Sequence, residues 1–337
     1  MNREALLGRY RSHEAIRSGG AIGGLNEGPV ITLHGVQTRL IAWPGNGFQT
    51  ESVHLLALRS GEASAEYGYA GSEEAMLCVA GTGEVRLRDR WVAMAAGDIA
   101  YFPEGVRHAL RHSGAVASDF VLVTQITPPA FELYAAAGFY HTGLGTMNFE
   151  ACFRAGLNAK TGSLKAPLAF ANRETEAAVR SWNLTPIKVR QHGALFNVFR
   201  GAAFDELGIP ARLVVWPGAG TRSAGFNFAY SPDPEPDFIH THPVSDECLF
   251  LWAGKGKGYL GGADWIEMKP LECLLAPCGV FHGHWGLGGP SFWGGFASPP
   301  QVDLLVKTPY YAGGAILPGE VTALEYTELP EPDRLFL

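Results

Sequence analysis

Hydrophobic and polar residues alternate along two long stretches of the chain, residues 29–128 and residues 191–306. Alternation with a period of two is typical of β-strands that bury one face, and residues 79–87 and 119–124 are examples. The 43 glycines and 22 prolines are spread along the chain, which suits short strands joined by tight turns. The pattern predicts two strand-rich domains, for which 337 residues are sufficient.

The segments outside these two domains have other patterns. Residues 1–28 are predicted to form an N-terminal arm whose first twenty residues are helical or irregular. Residues 129–190 are predicted to connect the domains, with helices at residues 131–137 and 174–181 on either side of a glycine-rich loop. This connection is too apolar to be a flexible linker. Residues 307–337 form a tail that we expect to wrap over the domains or over a neighbouring subunit.

An internal repeat relates the two domains. Residues 35–47 match residues 208–220, including a shared Trp-Pro-Gly-x-Gly sequence, at an offset of 173 (208 − 35). Carried forward without gaps, the same offset aligns Glu74 with Glu247. We therefore predict that the chain consists of two copies of one module in tandem.

The second module carries a set of candidate metal ligands. His240 and His242 are two residues apart, so their imidazoles project from the same face of a β-strand. A turn can bring Glu247 and His282 to them from neighbouring strands. Three neutral nitrogen donors and one carboxylate suit a divalent first-row metal. We expect these four residues to bind one metal ion per chain.

The first module differs at the corresponding positions. Tyr67 and Tyr69 stand where the offset places the paired histidines, while Glu74 and His108 retain the other two positions. A phenol titrates at about 10 and is a poor ligand for a divalent metal at neutral pH. We therefore expect a degenerate metal site in this module, with the tyrosines filling its cavity.

The two motifs of the second module resemble those of the cupin superfamily. The motif residues are His240-x-His242-x4-Glu247-x6-Gly254 and Pro277-x-Gly279-x2-His282. Pro234 and Leu271 occupy two positions at which that family usually has glycine. The resemblance implies an all-β fold of two tandem jelly-roll β-barrels, joined by a short helical inter-domain segment. It also implies that the metal lies inside the C-terminal barrel.

Among cupins, the chain resembles two-barrel ring-cleaving dioxygenases of the quercetin, gentisate and salicylate type. This resemblance implies an Fe(II)-dependent dioxygenase that cleaves a small aromatic or enolic compound, with open metal positions for substrate and O2. Gentisate-type members usually hold iron with three histidines in the N-terminal barrel, and Glu247 departs from that pattern. One alternative is a hydrolase, decarboxylase or isomerase of a small polar acid that uses Mn, Ni or Zn, similar to ureidoglycine aminohydrolase or oxalate decarboxylase. The other is a non-enzymatic bicupin that binds a metal or a ligand.

Several polar residues near the motifs are candidates for catalytic roles. Glu247 could leave the metal and act as a base for a substrate hydroxyl. His284 has the same strand parity as His282 and could shuttle a proton or orient a bound oxygen, although a surface histidine is the simpler interpretation. Arg222 could pair with a substrate carboxylate, and Asn227 is a further candidate.

Composition restricts the partners that we expect. The net charge of −7 argues against nucleic acid, and the absence of an apolar run of 18 residues argues against a membrane span. Five cysteines without CxxC spacing are typical of reduced thiols in a cytoplasmic protein. We expect a cytoplasmic homodimer or homotetramer that acts on a small-molecule substrate, together with O2 under the leading hypothesis.

Overall fold

A computed structural model provides the structure of the protein. It describes residues 2–10, 12–114, 118–157, 170, 172–206, 208–231 and 239–324. The all-β fold class is confirmed, because these residues form two tandem β-barrels of jelly-roll type with short helices outside them.

The helices are short and lie at the start of the chain, between the barrels and after the last long strand. They are α1 Arg3–Arg9, α2 His13–Gly19, α3 Phe131–Ala136, α4 Phe149–Leu157, α5 Glu176–Trp182, α6 Pro186–His192 and α7 Val302–Leu305. The helices predicted at residues 131–137 and 174–181 correspond to α3 and α5. No helix in the described ranges is long and apolar enough to cross a membrane.

The strands pair antiparallel throughout. In chain order they are β1 Ala21–Gly24, β2 Val30–Leu33, β3 Val36–Ala42, β4 Ser52–Leu58, β5 Glu73–Ala80, β6 Thr82–Leu87, β7 Arg90–Ala95, β8 Asp98–Phe102, β9 Leu110–Arg111, β10 Phe120–Thr127, β11 Tyr140–His141, β12 Thr146–Met147, β13 Ala194–Asn197, β14 Arg200–Glu206, β15 Ile209–Val215, β16 Phe226–Ser231, β17 Asp246–Leu260, β18 Ile266–Met268, β19 Glu272–Ala276, β20 His282–Ser298, β21 Tyr311–Ala312, β22 Ala315–Ile316 and β23 Val321–Ala323.

Each barrel is built around one large sheet. The N-terminal sheet has the order β13-β8-β5-β10-β4-β3-β2, and a smaller sheet, β7-β6-β9, lies beside it. The C-terminal sheet has the order β1-β19-β17-β20-β16-β15-β14-β23, with β18 also paired to β17. In the predicted tail, β23 joins this sheet through β14, and residues 325–337 lie outside the described part.

The two modules exchange their first strands. Strand β1 precedes the N-terminal barrel but pairs with β19 of the C-terminal sheet, and β13 precedes the C-terminal barrel but pairs with β8 of the N-terminal sheet. The two exchanged strands are repeat mates, because Ala194 follows Ala21 by the same offset of 173 (194 − 21). The predicted boundaries assign β1 to the N-terminal arm and β13 to the C-terminal barrel, so they do not account for this exchange.

Strand alternation separates two cores. Leu249 and Leu251 of β17 face the interior of the C-terminal barrel. Cys248, Phe250 and Trp252 face the other way and belong to a buried cluster that residues of both barrels share. The large sheets therefore pack against each other through one apolar layer. Since Glu247 has the parity of Leu249, its side chain enters the barrel.

The repeated Trp-Pro-Gly-x-Gly sequence folds in the same way twice. A 3-10 turn follows Trp43 at Pro44–Asn46 and Trp216 at Pro217–Ala219. Each turn ends at a glycine in the left-handed region, Gly47 with φ 106° and Gly220 with φ 116°. A side chain is strained in that conformation, so the final glycine of the repeat is required by the backbone.

A reciprocal polar contact joins the barrels. The buried carboxylate of Glu73 accepts hydrogen bonds from backbone amides of the C-terminal barrel at Arg222 (2.9 Å), Ser223 (2.8 Å) and Ala224 (2.9 Å). Its repeat mate Asp246 accepts hydrogen bonds from the backbone amides of Gln49 (2.5 Å) and Thr50 (2.8 Å) in the N-terminal barrel. Each carboxylate thus fixes the loop that follows the 3-10 turn of the other module.

Of the two positions where glycine was expected, Pro234 lies outside the described residues. Leu271 keeps the backbone conformation of the missing glycine, with φ 74°, and its repeat mate Gly97 has φ 98°. The turns at Leu271 and Gly97 have the same shape because each is held by the same backbone hydrogen bond. Leu271 donates its N–H to Leu251 O at 2.8 Å, and Gly97 donates to Cys78 O at 2.9 Å.

Candidate metal centre

Four side chains converge inside the C-terminal barrel. The ligand atoms of His240, His242, Glu247 and His282 all lie within 4.8 Å of one another. Oε2 of Glu247 is 3.1 Å from Nε2 of His242 and 2.8 Å from Nε2 of His282. Three members are buried, since His242 and His282 are each 1% exposed and Glu247 is 4% exposed, whereas His240 is partly exposed.

Backbone pairing aligns the histidines. His240 and His282 form an antiparallel bridge in which each donates its N–H to the carbonyl of the other at 2.8 Å. Gly279, at φ 81° in the Pro-x-Gly turn, donates its N–H to His242 O at 2.9 Å. The turn that precedes β20 is therefore tied to the segment that carries the paired histidines, and the predicted convergence follows from these bonds.

Hydrogen bonds on the far sides of two rings direct their Nε2 atoms into the cluster. Nδ1 of His282 donates to Val280 O at 2.9 Å. Nδ1 of His242 faces the carboxylate of Asp303 at 3.2 and 3.3 Å. A protonated Nδ1 leaves Nε2 as the atom available to a metal, and such outer partners fix both the tautomer and the ring orientation.

The electrostatics of the cluster are strongly perturbed. Burial lowers the pKa of His240 well below its usual value, and the neighbouring imidazoles of His282 and His242 reinforce the shift. Burial would also lower the pKa of His242, but the carboxylates of Asp303 and Glu247 raise it to about 10. Burial would raise the pKa of Glu247, yet hydrogen bonds from His242 and His282 hold it well below its usual value.

This donor set fits a divalent cation. Without a cation, a proton on His242 balances the negative charge of the buried Glu247 carboxylate. A cation bound among the four donors would take the place of that proton. Three imidazoles and one carboxylate could thus hold one metal, with positions left for other ligands. In the described part of the chain, no other group of three or more His, Cys, Asp or Glu residues gathers in this way.

His284 is buried in the same barrel. It is 1% exposed, its Nδ1 is 3.2 Å from Oγ of Ser231, and its Nε2 is 3.7 Å from the carboxylate of Glu206. Its charge would act on the pKa of His240, so it belongs to the surroundings of the cluster. The surface position considered from the sequence is wrong, whereas a role in proton transfer stays a prediction.

Arg222 lies at the junction of the barrels. Its side chain is 59% exposed and forms an ion pair at 2.8 Å with Glu104 of the N-terminal barrel, while its backbone amide donates to Glu73. The structure thus gives this arginine an inter-domain contact. Its predicted pairing with a substrate carboxylate stays a prediction.

Two residues of the surroundings were not found from the sequence. Asp303 orients His242, and Nε2 of Gln301 lies 3.2 Å from Nε2 of His242. Both lie in or beside α7, about sixty residues after the paired histidines, and no local spacing connects them to the motifs. Asn227, which was a candidate, donates its side-chain amide to Oε1 of Gln301.

A small cavity of about 10 Å³, roughly the room of one water molecule, lies beside Gln301. Gln301 and Asn227 line it together with apolar residues that include Phe204, Trp216 and Leu304. Gly295 forms part of the wall, and a Cβ atom there would lie 2.9 Å from Oε1 of Glu247. None of the four candidate ligands is among the residues that line the cavity.

The corresponding region of the N-terminal barrel is filled with rings. Tyr67 stacks on His34 with ring centroids 3.7 Å apart, and the hydroxyl of Tyr69 is 3.0 Å from Nε2 of His34. His108 Nε2 lies 3.0 Å from Oε2 of Glu74. Burial raises the pKa of both tyrosines well above its usual value, so the phenols stay protonated at neutral pH.

Comparisons with known proteins identify a cupin domain in part of the chain and similar folds among solved structures. Residues 55–124 match the family model of the cupin domain, and no curated protein matches the chain. The protein Ylba from E. coli is similar in structure, with a TM-score of 0.54, 12% identity, and coverage of 83% of this chain and 91% of that chain. A tryptophan-to-tyrosine variant of oxalate decarboxylase from Bacillus subtilis has a TM-score of 0.51 at 12% identity, over 83% of this chain and 77% of that chain. Likeness at this identity establishes the fold alone.

Proposed function

We propose that the C-terminal barrel is a metal-dependent enzyme centre in which His240, His242, Glu247 and His282 hold one divalent cation. The observation that carries the proposal is the convergence of these four donors within 4.8 Å. The orienting contacts of Asp303 and of a backbone carbonyl support it, because they hold the Nε2 atoms of two histidines inward. The open positions of such a site are typical of catalytic rather than structural metals.

The reaction that we propose first is an Fe(II)-dependent dioxygenation of a small aromatic or enolic compound. Fe(II) held by these four residues would supply the redox chemistry that O2 activation requires. Glu247 would accept a proton from a substrate hydroxyl.

A second candidate is a hydrolase, decarboxylase or isomerase of a small acid that uses Mn, Ni or Zn. The carboxylate in the donor set favours it, because oxygen ligands also suit Mn(II) and Zn(II). One of the similar solved structures, oxalate decarboxylase from Bacillus subtilis, is described by its Mn(II) centres. Here the cation would polarise a substrate carbonyl or carboxylate, and the same four residues would hold it.

Metal analysis and oxygen uptake distinguish the two candidates. The metal content of protein purified without added metal is measured first. The protein is then loaded anaerobically with Fe(II) and assayed on an oxygen electrode with salicylate, gentisate and catechol. We expect O2 uptake with one of these compounds, its loss in His282→Ala, and no change in His192→Ala, which removes an exposed imidazole on α6. Turnover with Mn(II) or Zn(II) and no O2 uptake would favour the second candidate, and tight metal binding without any turnover would contradict both.

A further inference from the structure

We infer that Glu51 is buried between the two barrels as a neutral carboxylic acid, and that it is a pH-sensitive element of their junction. The proton of Glu51 stabilises the two-barrel assembly in acid, and its loss weakens the assembly as the solution becomes alkaline. The inference does not depend on the proposed metal centre. Three features of the junction carry it.

The first feature is the burial of the Glu51 side chain without a cation beside it. Glu51 is 0% exposed. Within the described ranges, no Lys, Arg or His side chain pairs with it, and its Oε1 atom has no hydrogen-bond partner. An ionised carboxylate in such surroundings would lose its hydration without compensation, whereas the neutral acid loses far less. The geometry therefore favours the protonated form.

The second feature is the position of Glu51 in a hydrogen-bond network that spans both barrels. Its Oε2 atom accepts a hydrogen bond from the side-chain amide of Gln125, which is also fully buried. The same amide nitrogen donates to the carbonyl oxygen of Ala297 at 3.2 Å, and the amide oxygen accepts the N–H of Gly225 at 3.2 Å. The first two residues belong to the N-terminal barrel and the other two to the C-terminal barrel. A change of charge on Glu51 therefore acts on the contact between the barrels.

The third feature is the set of acidic groups that acts on Glu51 from strand β17 of the other barrel. They are the carboxylates of Asp246 and Glu247, and the thiol of Cys248 on the same strand is affected by the charge of Glu51 in turn. Burial is the main cause that raises the pKa of Glu51 well above its usual value, the hydrogen bond from Gln125 opposes the shift, and the two carboxylates add to it. A negative charge on Glu51 would thus be repelled as well as desolvated.

The direction of the effect on stability follows from these contacts. In the unfolded chain a glutamate releases its proton at about pH 4.3, whereas in the folded protein Glu51 keeps its proton to a higher pH. Above about pH 4.3 the folded state therefore binds one more proton than the unfolded state, and its stability falls as the pH rises. The equilibrium constant for folding decreases about tenfold per pH unit until Glu51 ionises in the folded protein.

Thermal unfolding of the full-length protein at pH 5, 6 and 7 tests the inference. All samples contain a chelator, so that release of a metal does not contribute to the pH dependence. Glu51→Gln has nearly the same shape as the neutral acid but cannot ionise. We expect the unfolding midpoint of Glu51→Gln, relative to that of wild type, to rise by about 4 °C between pH 5 and pH 7. This shift corresponds to a change of about a hundredfold in the equilibrium constant for a chain of this length.

Matched variants make the result specific to Glu51. Other groups, among them His54, also titrate in this range, and the difference between variant and wild type removes their contribution. Glu51→Met keeps the length of the side chain and should give the same trend, so a loss of stability that is independent of pH in either variant does not affect the test. Glu104→Gln removes an exposed carboxylate at the same junction and should follow the wild-type pH dependence within about 1 °C.

Infrared spectroscopy detects the protonated side chain directly. The spectrum of wild type minus that of Glu51→Gln at pH 7 should contain the C=O stretching band of a carboxylic acid. Absence of this band, or a midpoint difference that stays constant between pH 5 and pH 7, would refute the inference. A midpoint difference that falls as the pH rises would indicate a stabilised carboxylate and would refute it as well. These outcomes are the same whether or not His240 and its neighbours bind a metal, so they are distinguishable from failure of the proposed function.

Discussion

Glu73 offers a quantitative test of how the two barrels are held together. Glu73→Ala removes the acceptor of three backbone amides and of the Tyr101 hydroxyl, which donates at 2.6 Å. Tyr101 and Ala224 are fully buried, so water cannot readily replace the carboxylate there. Each unmet buried donor costs about 1–3 kcal/mol, and loss of a buried charged partner costs about 3–5 kcal/mol in similar cases. We therefore expect a loss of about 3–5 kcal/mol in the free energy of unfolding.

Thermal unfolding followed by calorimetry measures this loss. An unfolding entropy of about 2 cal/mol/K per residue gives about 0.7 kcal/mol/K for 337 residues, so the midpoint should fall by about 4–7 °C. Glu104→Ala is the matched control, because it removes an exposed ion pair between the same two barrels. It should cost less than about 1 kcal/mol. Equal shifts for the two variants, or no shift for Glu73→Ala, would refute the reasoning.

Three further predictions concern the metal centre and the dependence of stability on pH. His282→Ala should abolish retention of metal after dialysis, whereas Tyr69→Phe should leave it intact. Equal loss of metal from the tyrosine variant would mean that the wrong barrel has been assigned. Since the neighbouring carboxylates raise the pKa of His242 to about 10, a cation must displace a proton below that pH. Metal affinity should therefore rise about tenfold per pH unit from pH 7 to pH 9, and a constant dissociation constant would contradict this. Burial lowers the pKa of His54 to about 3, so the unfolded chain takes up a proton below about pH 6.5 while the folded protein does not. This residue alone should cost about 1.4 kcal/mol per pH unit as the pH falls toward 3. Urea unfolding at pH 7 and pH 5 should show a shallower loss of stability in His54→Phe, and equal slopes would contradict the assignment.

The parts of the centre that follow from strand parity could be predicted from the sequence. His240 and His242 lie on one face because they are two residues apart, and Glu247 and Cys248 point in opposite directions because they are adjacent. Parity is a local property, so the spacing alone carries it. The repeat could be predicted for the same reason, since both copies of its Trp-Pro-Gly turn depend on a few neighbouring residues.

The contacts made over long distances in the chain could not be predicted. Asp303 and Gln301 reach His242 because α7 folds back over the barrel, and no sequence period records that path. Leu271 shows a different limit. The family usually has a glycine at this position, but tertiary hydrogen bonds hold leucine at φ 74° in the glycine conformation. Such a conformation costs of order 1 kcal/mol, which a packed neighbourhood can offset.

The exchange of β1 and β13 has a consequence for the order in which the protein can be assembled during synthesis. The edge of β8 stays uncovered until Asn197 has left the ribosome, and β1 must wait for β19, about 250 residues later in the chain. Unpaired strand edges of this kind are templates for association with other chains. A gene cut between the modules would leave both edges bare, so we expect the separate halves to aggregate and to recover when they are produced together.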